Sequence, residues 1–286
     1  MNGGTQIVAA KEHEIRALAA KRWSDAQSQQ LYVNLAQQSA AGCWVARDVD
    51  DPVGIAFAHA NETEWFVSDL YVEPSFRNAG LGWKLLRQAT ADSGDASLAG
   101  LIEADDVGSL AFFLRRGMGL HVPVLRITGE IPREEELVQM AAGDYRFSTI
   151  PIDPNAHKFE IDALDREVRG TARPSDHVAF AQLATGTAFV LNDEIVGYTY
   201  VWPDGRIGPL VAASGAYLMQ FFGFALMSLQ RTYGASWCMA LVPGSNVRIM
   251  RAAVRIGLTL DQVRIFATDQ PQIDLSRYVG FHALAF

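Results

Sequence analysis

The sequence predicts an α/β protein built as two tandem copies of one fold. Three observations lead there. Segments of strand character alternate with segments of helical period along the whole chain. Landmarks of the first half return in the second at a nearly constant offset. The chain's 286 residues, with 49% hydrophobic and 20% charged, suit two globular domains rather than one.

Taken in order, residues 12–38 set Ile15, Leu18, Ala19, Trp23, Leu31 and Leu35 among polar neighbours, which predicts one or two amphipathic helices with a break at Ser24-Asp25. Residues 43–49 and 53–60 are apolar or alternating runs joined by Asp48-Val49-Asp50-Asp51-Pro52, a hairpin pattern. Residues 65–72 are aromatic and β-branched and are closed by Pro74, so they predict a strand. A helix is expected over 83–91, turn residues over 92–95, and a buried strand over 98–102 ending at Glu103. The next helix has Asp105 or Asp106 as N-cap and Gly117 as stop, and 122–128 form a further strand. Residues 131–143 carry Arg133-Glu134-Glu135-Glu136 without a clean apolar period and read as a connector.

The pattern then begins again. Val53-Gly54-Ile55 recurs as Val196-Gly197-Tyr198, Asp106 and Gly117 recur as Asn246 and Gly257, and Leu70-Tyr71-Val72 recurs as Leu210-Val211-Ala212, all at offsets of 140 to 143. The implied domains are 1–135 and 144–286.

Between the strand at 65–72 and the helix after it lies Arg77-Asn78-Ala79-Gly80-Leu81-Gly82-Trp83. Amides at a helix start are unpaired and sit at the positive end of the macrodipole, so a glycine loop there can cradle a pyrophosphate, with Arg77 adding charge. A Walker loop needs Lys and then Ser or Thr after its last Gly, where this chain has Trp83 and Lys84. A dinucleotide fingerprint needs a third Gly where this chain has Leu85. A plain turn opening a helix is the remaining structural alternative.

The loop resembles the Arg/Gln-x-x-Gly-x-Gly/Ala motif of the GCN5-related N-acetyltransferases (GNAT superfamily), with Leu70-Tyr71-Val72 in the place of that family's Leu-x-Val strand end. The resemblance implies two GNAT-like domains, each a mixed, mostly antiparallel sheet flanked by helices. It implies acetyl-CoA as co-substrate, held by Leu70, Tyr71, Val72 and residues 77–83, and transfer of its acetyl group to a primary amine of a small molecule or peptide in a ternary complex. The second half has Ala213-Ser214-Gly215-Ala216-Tyr217-Leu218 at the corresponding place, without the Arg or the glycine pair, and resembles the degenerate second domain of tandem members. Similarity to that domain also lies in Asp165, Gly170 and Arg173, in Ile207-Gly208-Pro209-Leu210, and in Val242-Pro243 with Asn246.

An aliphatic amine with a pKa of about 10.4 must lose a proton before it attacks, and a carboxylate normally takes it. Asp69 and Glu103 are the candidate bases, with Glu64 a third; Asp69 could instead serve a neighbouring loop. Many relatives protonate the leaving thiolate with a Tyr, where this sequence has Phe113, and Tyr71 is the substitute on offer. The lost Tyr gives a second reading its footing, an acyl-CoA sensor or protein-interaction module without turnover.

The composition argues against other chemistries. Cys43 and Cys238 sit in apolar segments and suggest no disulfide, and the six histidines fall at no metal-ligand spacing. A formal charge of −8 disfavours nucleic acid. The richest apolar stretch, 216–229, is too short for a membrane span, and no basic and apolar leader opens the chain, so a cytoplasmic protein is expected.

Overall fold

The structure, a computed structural model, describes residues 5–38, 42–49, 51–270 and 273–286. It divides into two compact units, Met1–Gly100 and Leu101–Phe286.

In the first unit β1 (Gln6–Ala9) leads to α1 (Glu12–Arg22) and α2 (Ala26–Gln38), which part at the expected break. The strands β2 (Cys43–Asp48), β3 (Asp51–Ala60) and β4 (Glu64–Val72) follow, then a 3-10 turn at Pro74–Phe76 and α3 (Leu81–Ala89). Asp50 of the expected hairpin turn lies outside the described residues. The strands β1 to β4 pair antiparallel in chain order, and β4 pairs in parallel with the start of β5 (Ser97–Glu103). The face of α3 carrying Leu81, Leu85, Leu86 and Ala89 is buried, and Leu85 reaches so close to Gly54 of β3 that an added Cβ there would stand 2.9 Å from it.

In the second unit α4 (Val107–Leu114) and β6 (Gly119–Glu130) precede α5 (Glu134–Ala141). The sequence expects a connector at 131–143, whereas the structure forms α5. Its three glutamates occupy the first turn, where they complement the helix dipole, and Leu137 is fully buried among residues that include Leu218, Phe222 and Leu226. Burial of one long-range contact, rather than a local period, makes this segment a helix.

The second copy then runs β7 (Ser148–Pro151), α6 (Lys158–Arg169), α7 (Pro174–Ala181), β8 (Thr185–Leu191), β9 (Glu194–Val201), β10 (Ile207–Ala212), α8 (Leu218–Tyr233), β11 (Trp237–Pro243), α9 (Val247–Arg255) and β12 (Thr259–Thr268), with a short β13 (Tyr278–Val279) at its end. This order repeats that of the first copy from β1 to β6. Asp106 caps α4 by accepting from Ser109 N–H at 2.9 Å, and Asn246 caps α9 by accepting from Ile249 N–H at 3.3 Å. Gly117 and Gly257 follow these helices at φ +84° and +85°. Strands β7 to β10 pair antiparallel in sequence order, with β13 beyond β10. Strand β6, although part of the first copy, is paired on one side with β11 and on the other with β12. The repeat and the compact units therefore divide the chain at different places.

Inside the second unit a charged cluster is sealed from water. Asp165 of α6 accepts from the Tyr198 hydroxyl and lies 2.9 Å from His177 Nε2 and 3.5 Å from Arg173 Nε. Arg173 also donates to the hydroxyls of Tyr198 and Tyr278, and the His177 Nδ1 meets the Tyr200 hydroxyl. Burial pushes the Asp165 carboxyl up, but Arg173, His177 and Tyr198 more than reverse it and bring it down to about 2. A carboxyl depressed in the folded state stabilises the fold above its unfolded pKa of about 3.9 and loses that contribution as pH falls through about 2. Chemical denaturation from pH 5 to 2 is expected to show this loss in the native chain and not in Asp165→Asn. That variant should be less stable at neutral pH by about 3–5 kcal/mol, because Arg173 stays buried without its anion.

Candidate active site

The residues 77–82 are solvent-exposed apart from the ends of the loop that enter α3. Asn78 and Gly80 have φ of +66° and +75°, and Gly80 is the N-cap of α3. An added Cβ at Gly80 would meet nothing within 4 Å, so the glycine is required by its backbone conformation and by approach from outside, not by protein packing. Among the described residues, the N–H groups of Asn78, Ala79, Gly80, Leu81 and Gly82 form no hydrogen bond. Arg77 is exposed and donates from Nε to Val72 O at 2.8 Å, which folds it back along the strand end.

Beside this loop β4 has an open edge. Phe57 of β3 pairs with Asp69 but Ala58 pairs with Val67, so Ser68 is one residue too many: a β-bulge. The parallel pairing of β4 with β5 runs from Glu64↔Ser97 to Val67↔Gly100 and stops there. Glu73 N–H donates to Val53 O, so by the alternation of an antiparallel ladder Val72 and Leu70 turn their N–H groups away from β3. Leu70 N–H is taken by the Asp69 carboxylate, whereas Val72 N–H has no partner among the described residues.

The charged side chains around the edge are tied to one another. Asp69 is buried, and both its oxygens accept from Arg22 of α1, at 2.9 to 3.2 Å. Burial pushes the Asp69 carboxyl up, and Arg22 offsets part of that. The Arg22 guanidinium lies 4.6 Å from the centre of the Tyr71 ring, and that of Arg77 lies 5.9 Å from it. The Tyr71 hydroxyl donates to Glu73, which also binds Lys21 at 2.7 Å. The bulge breaks the even alternation that would put Asp69 on one face with Trp65 and Val67. Glu64 is fully buried at the start of β4. Glu103 belongs to the other compact unit, where one oxygen accepts from Arg264 at 2.7 Å and the other from Gln262 at 2.8 Å, both on β12. Phe113 is buried in α4 and brings no proton donor. Among the described residues no cluster of His, Cys, Asp and Glu is arranged to hold a metal, and no helix is long and apolar enough to cross a membrane.

The second copy shows what happens to the same geometry when it is closed. A bulge recurs in β10 between Ile207 and Leu210, but the edge it exposes is taken: Leu210 and Val211 pair with β13, and Gly280 exchanges two backbone hydrogen bonds with Leu241 of β11. Strand β13 thus fills the gap between β10 and β11. The loop at 213–217 is also used internally, with Arg277 on Ala213 O, Arg248 on Gly215 O and Ala216 N–H on the Ser214 hydroxyl.

A profile of the acetyltransferase (GNAT) family matches residues 12–119. Residues 12–119, the first copy, therefore form a domain of the GNAT type. Its fold over almost the full length is that of solved GNAT proteins. A Pyrococcus horikoshii protein provisionally named an acetyltransferase superposes with a TM-score of 0.73 at 14% identity, covering 100% of this chain and 96% of that one. A tandem GNAT protein from the clavulanic acid biosynthesis pathway gives 0.61 at 18% identity, covering 94% and 100%. A GCN5-related N-acetyltransferase from Sphaerobacter thermophilus gives 0.59 at 16%, covering 95% and 98%. A search of curated proteins finds no match.

What the sequence did not signal is the closure of the second copy by β13 and the pairing of both candidate bases with arginines. The only local hint of the first was the strand-like Tyr278-Val279. Two outcomes are expected. Titration calorimetry with acetyl-CoA should give one site per chain, since β13 fills the strand edge of the second copy and the loop that follows lacks the arginine and the glycine pair. Arg22→Met should destabilise the chain by about 2–4 kcal/mol in denaturant unfolding, because it strands the Asp69 carboxylate in a buried site while Arg22 itself is one-third exposed.

Proposed function

We propose that the first copy binds acetyl-CoA and passes its acetyl group to a primary amine of a small molecule or peptide. One observation carries this reading: an exposed loop with five unpaired amides and an arginine stands next to a strand edge with a partnerless N–H. The diphosphate would sit on the N–H groups of residues 78–82 at the positive end of α3, with Arg77 as counter-charge. The pantetheine arm would run along β4 at Val72, as an added strand does. An acyl carbonyl at that edge faces fixed backbone dipoles, which favour the charge that develops on its oxygen during attack. The assignment of domains as 1–135 and 144–286, with the second a GNAT-like domain that lacks the pyrophosphate loop, belongs to this proposal. So does the cytoplasmic setting.

Asp69 and Glu103 enter it with altered weight. Asp69, buried with both oxygens on one guanidinium, is suited to fixing local charge and holding Arg22 against Tyr71. Glu103 keeps two-fifths of its side chain exposed and is the more accessible carboxylate of the two. The thiolate, with a pKa near 8.5 as a free thiol, can depart without an acid at the position of Phe113. The absence of a donor there also keeps a second reading in play, acyl-CoA binding without turnover.

Thiol release from acetyl-CoA with polyamines, aminoglycosides, amino acids and peptides separates the two, and release with at least one acceptor class is expected. Binding with no turnover on any of them would favour the sensor. Gly80→Glu should abolish acetyl-CoA binding, because it puts a carboxylate into the cradle and a side chain at positive φ. Arg77→Ala should weaken it about 10- to 100-fold, the range for one charge-assisted contact. Unchanged affinity in Gly80→Glu would remove the cradle from consideration.

A further inference from the structure

The bulge in β4 carries a pair of groups that the carboxylate reading leaves out. His59 of β3 is buried, walled by the rings of Phe57 and Phe66 at 5.9 and 5.6 Å, and its Nδ1 lies 2.8 Å from the Ser68 hydroxyl. Ser68 is the extra residue of the bulge. It is half-buried, and it stands one residue past the last β4–β5 pair and two before the Leu70–Val72 edge. A hydroxyl on a half-buried strand residue, backed by a buried imidazole, is the arrangement of a proton relay.

The second copy gives the comparison. At the offset of 143 that aligns Gly54 with Gly197, His59 corresponds to Trp202, and at the offset of 140 Ser68 and Asp69 correspond to Gly208 and Pro209. Trp202 donates from Nε1 to Gly208 O at 2.6 Å. The same strand-to-bulge link is made in both copies. Where the edge is filled by β13, the link is an indole and a carbonyl that move no proton. Where the edge is open, it is an imidazole and a hydroxyl.

We infer that Ser68 is a catalytic residue and His59 a positioning and proton-holding residue of the proposed acetyl transfer, on which this inference rests. The acceptor arrives as an ammonium. One of its protons passes to Ser68 Oγ as the proton of Ser68 passes to His59 Nδ1. The freed nitrogen forms its bond to the acyl carbon, the carbon–sulfur bond breaks, and a second nitrogen proton goes to the departing thiolate. One proton stays on the amide, and the imidazolium returns its own to solvent before the next turnover.

The test compares two acceptors under saturating acetyl-CoA. Ethylamine is almost fully protonated at neutral pH and needs a base; hydroxylamine is largely unprotonated and does not. Ser68→Ala and His59→Gln are each expected to lower kcat for ethylamine about 100-fold or more, with KM for acetyl-CoA unchanged, while hydroxylamine transfer falls only a few-fold. The double variant should lose no more than either single one, and Ser68→Thr should restore ethylamine transfer. Equal losses on both acceptors, or losses that track a fall in Tm, would reduce the pair to a structural link and overturn the relay. If the native chain acetylates neither amine, the transfer reading is what has failed on these acceptors. The pair is then read from the ring-nitrogen resonances of labelled histidine. Acetyl-CoA should shift the His59 signal in the native chain and not in Ser68→Ala, and no shift in the native chain would overturn the inference.

Discussion

One surplus residue in β4 governs the rest of this molecule's chemistry. A strand in a sheet normally spends its N–H and C=O groups on two neighbours, and a surface that has done so has nothing left for a ligand. The bulge at Ser68 bends β4 at the point where its pairing with β5 ends, which leaves the Leu70–Val72 edge with β3 on one side only. The unpaired amides of residues 78–82 follow within a few residues of the partnerless Val72 N–H, so unspent backbone donors of a strand end and a helix start stand close in the chain.

The two copies show how little separates an open strand edge from a closed one. Both have the bulge, both follow it with a helix, and both cap their later helices with the same hydrogen bond. In the second copy β13 has taken the exposed edge and arginines have taken the loop carbonyls. At the strand edge of the second copy the backbone bonds are made by the chain itself, whereas the Val72 edge of the first copy has no such strand beside it among the described residues.

Charge is handled differently in the two units. The cluster of Asp165, Arg173, His177 and Tyr198 is closed, and the anion keeps its charge because several donors surround it. Such clusters add little net stability over an apolar core, yet removing one member is costly, so they hold α6, α7 and β9 to one arrangement. In the first unit the chain of Asp69, Arg22, Tyr71 and Arg77 runs from a buried carboxylate out to the exposed cradle, so the arginine that would meet an anion is stacked on the ring that the buried pair steadies.

Much of this was legible in the amino-acid order. The helix break at Ser24-Asp25, the strand ending at Val72, the caps at Asp106 and Asn246 and the glycine loop are set by local chemistry: propensity, φ restrictions and side chains that reach only a few residues along the chain. The repeat at offsets near 140 could be read for the same reason, since each copy writes its own caps and turns. Helix α5, the setting of β6 between β11 and β12, the filling of the second edge by β13, and the arginine partners of Asp69 and Glu103 could not be read. Each depends on groups 39 to 161 residues apart in sequence that meet only when the sheet assembles. The sequence by itself determined most of the helices and strands, their caps and the glycine loop, and the tertiary structure decided which edge stays open and which carboxylates are already paired, because hydrogen-bond partners across a sheet are chosen by folding and not by neighbourhood in the chain.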